Sequence, residues 1–501
     1  MASSSSGIER IDLAPGLNIP RVVTGLWQVA DIERGAGPID PDEGATALAA
    51  YMVDGFDAFD MADHYGSAEV LAGRLRERLA NGTLEVADQA RLATFTKWCP
   101  EPGEMTREVV QIAVDRACKR LHTDRIDLLQ FHWWMFEHPA WLDAMRELAK
   151  LREEGRIAQL GVTNVDTDHL RVLVAEGIPV ATNQVCVSLL DRRATEEMSV
   201  FCQQHGIRLL AYGTLAGGFL SKRWLGAEEP DSVGDWSKMK YRRFVEAAGG
   251  WDVLQGILQA LDTVARKHGV SISNVATRWV MQQPAVAAVI VGARLGEREH
   301  RGDNLRLCGF SLDDEDMATI GEALAIATRI PGDCGDEYRR PPFLTASGDL
   351  SHHLDQVPPV YQPAPIDHRT GRIRVDSGSV WEPICGYSRA VRVGDRILVS
   401  GTTATHSSGE MIGKGDPAAQ AVYILDKIAA SIRSLGGKMS EVVRTRIYLR
   451  NADDWEKVSR VHGHYFGQIR PANTLLEVSR LIGDYDVEIE AEAVVEPPPA
   501  R

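Results

Sequence analysis

No stretch of this 501-residue chain approaches the roughly 18 apolar residues of a membrane span, so no membrane partner is expected. Cysteine is sparse. The seven (positions 99, 118, 186, 202, 308, 334 and 385) are scattered, odd in number and without a CxxC pair. That spacing points away from a disulfide framework or a zinc site and toward reduced thiols in a cytoplasmic setting. Positive charge is in deficit, 55 Lys and Arg against 70 Asp and Glu, which argues against a nucleic-acid or anionic-membrane surface. No GxGxxG follows any strand-like run, which disfavours a doubly wound dinucleotide fold. The opening MASSSSGIERID has no apolar segment of the secretory kind, and residues 1–15 read as a short disordered arm.

What is present suits two soluble domains, with 44% hydrophobic and 25% charged residues. Eight short apolar runs are expected strands: Val22–Trp27, Ala58–Asp60, Leu92–Lys97, Leu128–His132, Gln159–Asn164, Val180–Gln184, Arg208–Tyr212 and Val289–Val291. Amphipathic stretches such as Asp42–Val53 and Glu108–Leu121 separate them. This alternation predicts an α/β fold, a (β/α)8 TIM barrel over residues 16–331. Residues 332–374, with PP twice, PAP and SGD, read as a Pro-rich linker. From residue 375 to 501 the order strand, strand, helix, strand, helix, strand, strand predicts a smaller α+β domain. Its first hairpin turns at Gly394–Asp395.

The C-terminal ends of barrel strands form the active-site face. Asp60, Lys97 and His132 fall there on the second, third and fourth strands, and Tyr65 lies in the loop after the second. Neighbouring strands are about 5 Å apart, so these side chains can converge. A tyrosine with a pKa near about 10 is a poor acid at neutral pH. A neighbouring ammonium favours the phenolate, and a carboxylate holds that ammonium in place. Imidazole can orient a carbonyl oxygen. The set could protonate an alkoxide as hydride reaches its carbon. Taken singly, each residue has a structural reading, as a loop cap or a hydrogen-bonded core group. Their joint placement on consecutive strands favours chemistry. Trp27, Trp98, Trp133, Trp134 and Phe136 also lie at or beyond strand ends, and the three at 27, 98 and 133 are expected to wall the substrate pocket. No cluster has metal-ligand spacing.

The ordered segments GFDAFDMADHYGSAEVLAGRL, TKW, DRIDLLQFHWW, GRIAQLGVTNV, NQV, GIRLLAYGTLAGGFL and VIVGARLGEREHRGDNL resemble the aldo-keto reductase family over about residues 16–330. The resemblance implies a barrel that binds NADP(H) without a Rossmann motif and acts on a small-molecule carbonyl. It makes Tyr65 the proton donor, Lys97 and Asp60 its tuning pair, and His132 the substrate-orienting group. It further implies that Thr163, Asn164 and Gln184 hold the nicotinamide carboxamide and that Tyr212 stacks on the ring. The loop with Gly213, Leu215 and Gly217 would approach the pyrophosphate, Arg294 the 2′-phosphate and Asn304 the adenine. His300 departs from the arginine that many members carry.

GYSRAVRVGDRILVSGTTA, SEVVRTRIYL, RPANTLLEVSRL and VEIEAEAVV resemble the Rid (YjgF-like) family, whose fold is chorismate-mutase-like. The resemblance implies imine or enamine handling and assembly into trimers, with Tyr387 and Glu488 at cleft positions. Asn473 stands where the family's carboxylate-binding arginine is expected, and an amide cannot supply that charge. Two functions compete on these residues. One is an NADPH-dependent carbonyl reductase with an accessory Rid-like domain. The other is a nucleotide-binding sensor or scaffold whose second domain assembles trimers or binds a metabolite. The intact tetrad favours the first.

Overall fold

The computed structural model describes residues 7–29, 38–86, 90–234, 236–295, 300–339, 358–367 and 371–495. A hairpin, β1 (Arg10–Ala14) with β2 (Leu17–Pro20), precedes the barrel. The barrel strands are β3 (Val22–Gly25), β4 (Ala58–Asp60), β5 (Ala93–Trp98), β6 (Ile126–His132), β7 (Ile157–Thr163), β8 (Thr182–Cys186), β9 (Arg208–Tyr212) and β10 (Val286–Gly292). They pair in parallel in sequence order, and β10 closes on β3. The expected (β/α)8 barrel is therefore present, with its strands where the apolar runs lie.

Strand alternation explains how the barrel is filled. The lower interior is an apolar plug of Val23, Ala58, Phe95, Leu128, Leu210, Ala288 and Ile290, sealed from below by Leu13, Leu17 and Ile19 of the hairpin. Two residues further along the same strands, the inward positions become polar: Asp60 on β4, Lys97 on β5 and Gln130 on β6. Gly161 on β7 leaves the space they need. A Cβ there would collide with Thr182 Oγ1 and lie 3.3 Å from Gln130 Cγ. The apolar layer thus sets the floor on which the polar site stands.

The second domain is a seven-stranded sheet: β11 (Ala364–Asp367), β12 (Arg372–Val375), β13 (Ala390–Val393), β14 (Arg396–Thr402), β15 (Val442–Leu449), β16 (Ala472–Glu477) and β17 (Val487–Val494). Its order is β11-β12-β13-β14-β17-β15-β16, and only β15–β16 is parallel. The helix Pro417–Ser434 is buried along nearly its whole length, and with Trp455–Phe466 it covers one face. Among the described residues no helix is long and apolar enough to cross a membrane.

Two boundary expectations are corrected. The arm expected over residues 1–15 includes β1, whose Leu13 closes the barrel floor; residues 1–6 lie outside the described set. The linker expected over 332–374 is ordered at both ends. Residues 332–339 pack on the barrel with Glu337 and Tyr338 buried, and β11 and β12 extend the second sheet. Polar and Gly-rich composition hid the first, because Glu337 is buried against the Arg193 guanidinium at 2.9 Å and accepts from Gly335 N at 3.0 Å. Proline hid the second, because Pro365 sits on an edge strand, where a missing N–H is tolerated.

Candidate active site

At the C-terminal face of the barrel, Lys97 Nζ donates to Asp60 Oδ2 at 2.6 Å and to the Met61 carbonyl at 3.1 Å. Both charged side chains are sealed from solvent, Lys97 2% and Asp60 3% exposed. The remaining acceptor capacity of Asp60 is satisfied at Oδ1 by Gln184 Nε2 (2.7 Å) and Gln130 Nε2 (3.0 Å). A buried ion pair persists only when its leftover lone pairs are bonded in this way. The Lys97 ammonium lies 5.0 Å from the Tyr65 ring centroid. Tyr65 is half-buried, with Trp27 edge-on at 4.8 Å and His64 at 4.9 Å.

His132 closes the other side. Its ring packs on Trp134 at 4.1 Å, and its Nε2 lies 3.4 Å from Asn164 Nδ2. Burial, then the charges of Arg339, His64, Lys97 and Lys240, push its pKa well below the usual histidine value. It is a neutral imidazole at physiological pH, able to hydrogen-bond an oxygen without adding a charge. The structure thus gathers Asp60, Tyr65, Lys97 and His132 at one end of the barrel.

The expected cofactor residues divide by strand end. Thr163 ends β7, and its buried Oγ1 has no hydrogen-bond partner. Asn164 follows in the left-handed region, φ 53°, where asparagine is tolerated. Tyr212, at the end of β9, donates to Asn164 Oδ1 at 2.8 Å. Burial raises the Tyr212 pKa well above its ordinary value, so it stays a neutral phenol. Gly213 takes φ 71° and Gly217 φ 65° around Leu215, and a side chain on Gly213 would strike the Tyr241 hydroxyl. Gln184 is turned toward Asp60 and so also serves the tetrad. Arg294 is exposed beyond β10, its Nε 3.4 Å from Gln28 Oε1. Asn304 lies in the helix Arg301–Leu305. An orphaned threonine hydroxyl, a fixed asparagine amide and a glycine loop beside them fit a nicotinamide nucleotide.

Two pocket expectations are corrected. Trp98 and Trp133 follow inward-facing Lys97 and His132, so strand parity turns both outward, against Phe131 at 5.5 and 5.6 Å. Trp27 and Trp134 flank the tetrad instead. Sequence reasoning also missed Gln130, Lys240 and Tyr338. Gln130 was visible as the polar residue inside the run LLQF, two positions before His132. Tyr338 had no signal. It arrives from the segment after the barrel, 5.0 Å from Trp134 and 6.5 Å from His132, with its hydroxyl bonded by Lys240 and 3.1 Å from that of Tyr212.

In the second domain the three expected cleft residues do not meet within one chain. Tyr387 and Glu488 gather around Arg389. That arginine donates to the Tyr387 hydroxyl (3.3 Å) and to the carbonyl of Gly401 (2.8 Å), which lies against Glu488. Burial raises the Glu488 pKa, and Arg389 opposes the shift. Asn473 pairs in register with Thr445, which pairs with buried Ala491 on the helix-covered face. Its Nδ2 donates to Thr445 Oγ1 at 2.9 Å. Alternation along β17 puts Glu488 on the opposite face.

The sequence matches the Aldo/keto reductase family over residues 21–325 and the Endoribonuclease L-PSP family over 379–495. An aldo-keto reductase of Mycobacterium sp. (strain JLS) is 28% identical over 331 residues, 65% of this chain and 97% of that protein. A RutC family protein of Pyrococcus abyssi is 36% identical over 115 residues, 23% of this chain and 91% of that protein. A glycerol dehydrogenase structure from Gluconobacter oxydans shares the barrel fold, with a TM-score of 0.51 at 23% identity, covering 66% of this chain and 98% of that one. With most of its length inside the first match and a Rid-type domain following, the chain belongs to the aldo/keto reductase family.

Proposed function

We propose that this protein reduces an aldehyde or ketone to the alcohol with NADPH, Tyr65 delivering the proton. Family membership supports an oxidoreductase for carbonyl reduction with a nicotinamide cofactor; the preference for NADP(H) and the residue roles are the proposal. The observation that supports it most is the buried Lys97–Asp60 pair at 2.6 Å beneath the Tyr65 ring, facing a neutral His132. When bound, the nicotinamide supplies hydride to the carbonyl carbon. Tyr65 Oη protonates the developing alkoxide, Lys97 favours the phenolate left behind, and Asp60 holds Lys97. His132 orients the carbonyl oxygen through a neutral N–H, and Trp27 and Trp134 wall the pocket. Thr163, Asn164 and Gln184 would bind the carboxamide, Tyr212 the ring face, the Gly213–Gly217 loop the pyrophosphate, Arg294 the 2′-phosphate and Asn304 the adenine.

The Rid-type domain is proposed to assemble trimers, and to hydrolyse an imine or enamine to the carbonyl that the barrel reduces. The separation of Asn473 from Tyr387 and Glu488 favours a cleft completed between copies. Oxidation of NADPH and of NADH across a panel of aldehydes, ketones, quinones and 2-keto acids tests the first reading. Turnover of none of them, or a clear preference for NADH, would overturn it. Light scattering that shows a monomer would remove the trimer.

A further inference from the structure

We propose that Asp426, in the Rid-type domain, is a positioning residue for the nicotinamide end of the barrel's site, acting through His169 and Asp166 on the backbone at Asn164. This rests on the reading that Asn164 binds the carboxamide.

The chain of contacts is continuous. Asp426, on the helix Pro417–Ser434, places Oδ2 3.0 Å from His169 Nε2, on the barrel helix Thr167–Ala175. The other ring nitrogen, Nδ1, lies 2.7 and 2.8 Å from the two oxygens of Asp166. Carboxylates only accept, so both ring nitrogens donate and His169 is an imidazolium clamped between two anions. The ring is 1% exposed and stacks on Phe136 at 3.6 Å. Tyr465 donates to Asp426 Oδ1 at 2.6 Å, completing the shell on the second domain's side.

Asp166 caps its helix by accepting from His169 N at 2.9 Å and stands two residues beyond Asn164. Its Oδ2 lies 3.9 Å from Arg339 Nη1. Arg339 places its guanidinium over Phe136 at 4.3 Å and donates through Nη2 to the carbonyl of Asn164 at 2.6 Å and of Trp133 at 3.0 Å. Arg339 thereby ties down the backbone of Asn164, which takes the left-handed region that asparagine tolerates.

The charges explain how the signal travels. Asp166, His169, Asp426 and Arg339 form a buried set of two anions and two cations. Without the Asp426 carboxylate, the ring keeps only one of the two anions that hold it as a cation, and the charge nearest Asp166 is weakened. Arg339 is then drawn toward Asp166 and away from the Asn164 carbonyl. A seam built only to hold two domains together needs no such device. Exposed pairs such as Arg146–Glu410, at 3.2 Å, also cross it and end on no site residue.

The test uses the full chain. Asp426→Asn is expected to weaken NADPH binding, read by fluorescence quenching, about tenfold, with the KM for NADPH rising in step. Turnover at saturating NADPH should stay within about twofold, a split that simple loss of folded protein does not produce. Glu410→Gln should bind NADPH as the wild type does. Wild-type affinity in Asp426→Asn, while Asn164→Ala binds weakly, overturns the proposal; so does an equal loss in Glu410→Gln. Wild-type affinity in Asn164→Ala overturns the underlying reading of Asn164 instead. If Asp426→Asn does not fold, Tyr465→Phe, which keeps the carboxylate and removes its hydroxyl partner, should show a smaller loss in the same direction, and no loss there is equally fatal.

Discussion

Lys97 Nζ sits 2.6 Å from Asp60 Oδ2 with both side chains out of reach of water. Removing one member of such a pair leaves an uncompensated buried charge, which costs about 3–5 kcal/mol. Asp60→Ala should therefore lower the thermal midpoint sharply and abolish turnover. Replacing both, as Asp60→Leu with Lys97→Met, should recover much of the stability and none of the activity. Thermal unfolding beside NADPH oxidation distinguishes these outcomes. A stable, active Asp60→Ala protein would show that the pair has neither role.

Tyr65→Phe removes one oxygen and keeps the ring that packs on Trp27. The expected loss in kcat is about 10²–10⁴-fold, the range for a displaced general acid. NADPH affinity should hold, because no cofactor residue has been touched. Persistent turnover in Tyr65→Phe would transfer the proton-donor role to another group, and the pH profile of that residual activity would report its pKa.

The barrel and its tetrad were legible because they are written locally. The proposed catalytic side chains sit at the ends of apolar runs, or, for Tyr65, in the loop just beyond one. Gln130 was partly legible for the same reason. What could not be read came from distant parts of the chain meeting. Tyr338 and Lys240 lie 98 residues apart and touch at the pocket only because the chain folds back after the barrel. His169 and Asp426 are separated by 257 residues, and each looks unremarkable on its own helix. The outward turn of Trp98 and Trp133 was available from strand parity, since Lys97 and His132 had already been placed inward. The division of Asn473 from Glu488 required the sheet order, which short strands with similar patterns do not reveal.

Histidines make the seam between the domains sensitive to pH. Burial alone would lower the His169 pKa, but the carboxylates of Asp166 and Asp426 outweigh it and raise it to about 9. A hydrogen bond to Asp168 raises that of His464, across the same seam, to about 9. Groups raised in the folded state contribute in full below their unfolded pKa of about 6.5 and lose that contribution as pH rises through about 9. For buried His169 the contribution is on the order of 3 kcal/mol; partly exposed His464 adds less. Arg339 and Tyr465 face the same cluster, as does Asp333, whose pKa burial and then the Asp166 charge raise to about 7. The histidines' contribution should thus fall between pH 6.5 and 9.5, against an opposing rise from Lys427, whose pKa burial lowers to about 7, and His464→Gln should remove part of that fall relative to the wild type. Denaturant unfolding at the two pH values checks it. A difference between wild type and His464→Gln that does not change with pH would mean that the His464 ring is not charged in the folded protein.

Gly335 links the segment after the barrel to Asn164, the proposed carboxamide-binding residue. It takes φ 90°, and a Cβ there would lie well inside contact distance of the Asn164 carbonyl oxygen and of Arg339 Nη1. The first accepts the hydrogen bond that supports Asn164, and the second belongs to the guanidinium that donates it through Nη2. Gly335→Ala should therefore act twice. The left-handed backbone alone costs roughly 1 kcal/mol for a residue with a side chain. The collision pushes Arg339 off the Asn164 carbonyl and should weaken NADPH by a factor similar to Asp426→Asn. Gly332→Ala provides the comparison, since its φ of 85° carries a similar backbone cost, while its Cβ would meet the Asp336 carboxylate and not Asn164. Loss of NADPH affinity in Gly335→Ala but not in Gly332→Ala, measured on folded protein, assigns the effect to the contact with Asn164; equal losses would assign it to the backbone strain of the segment.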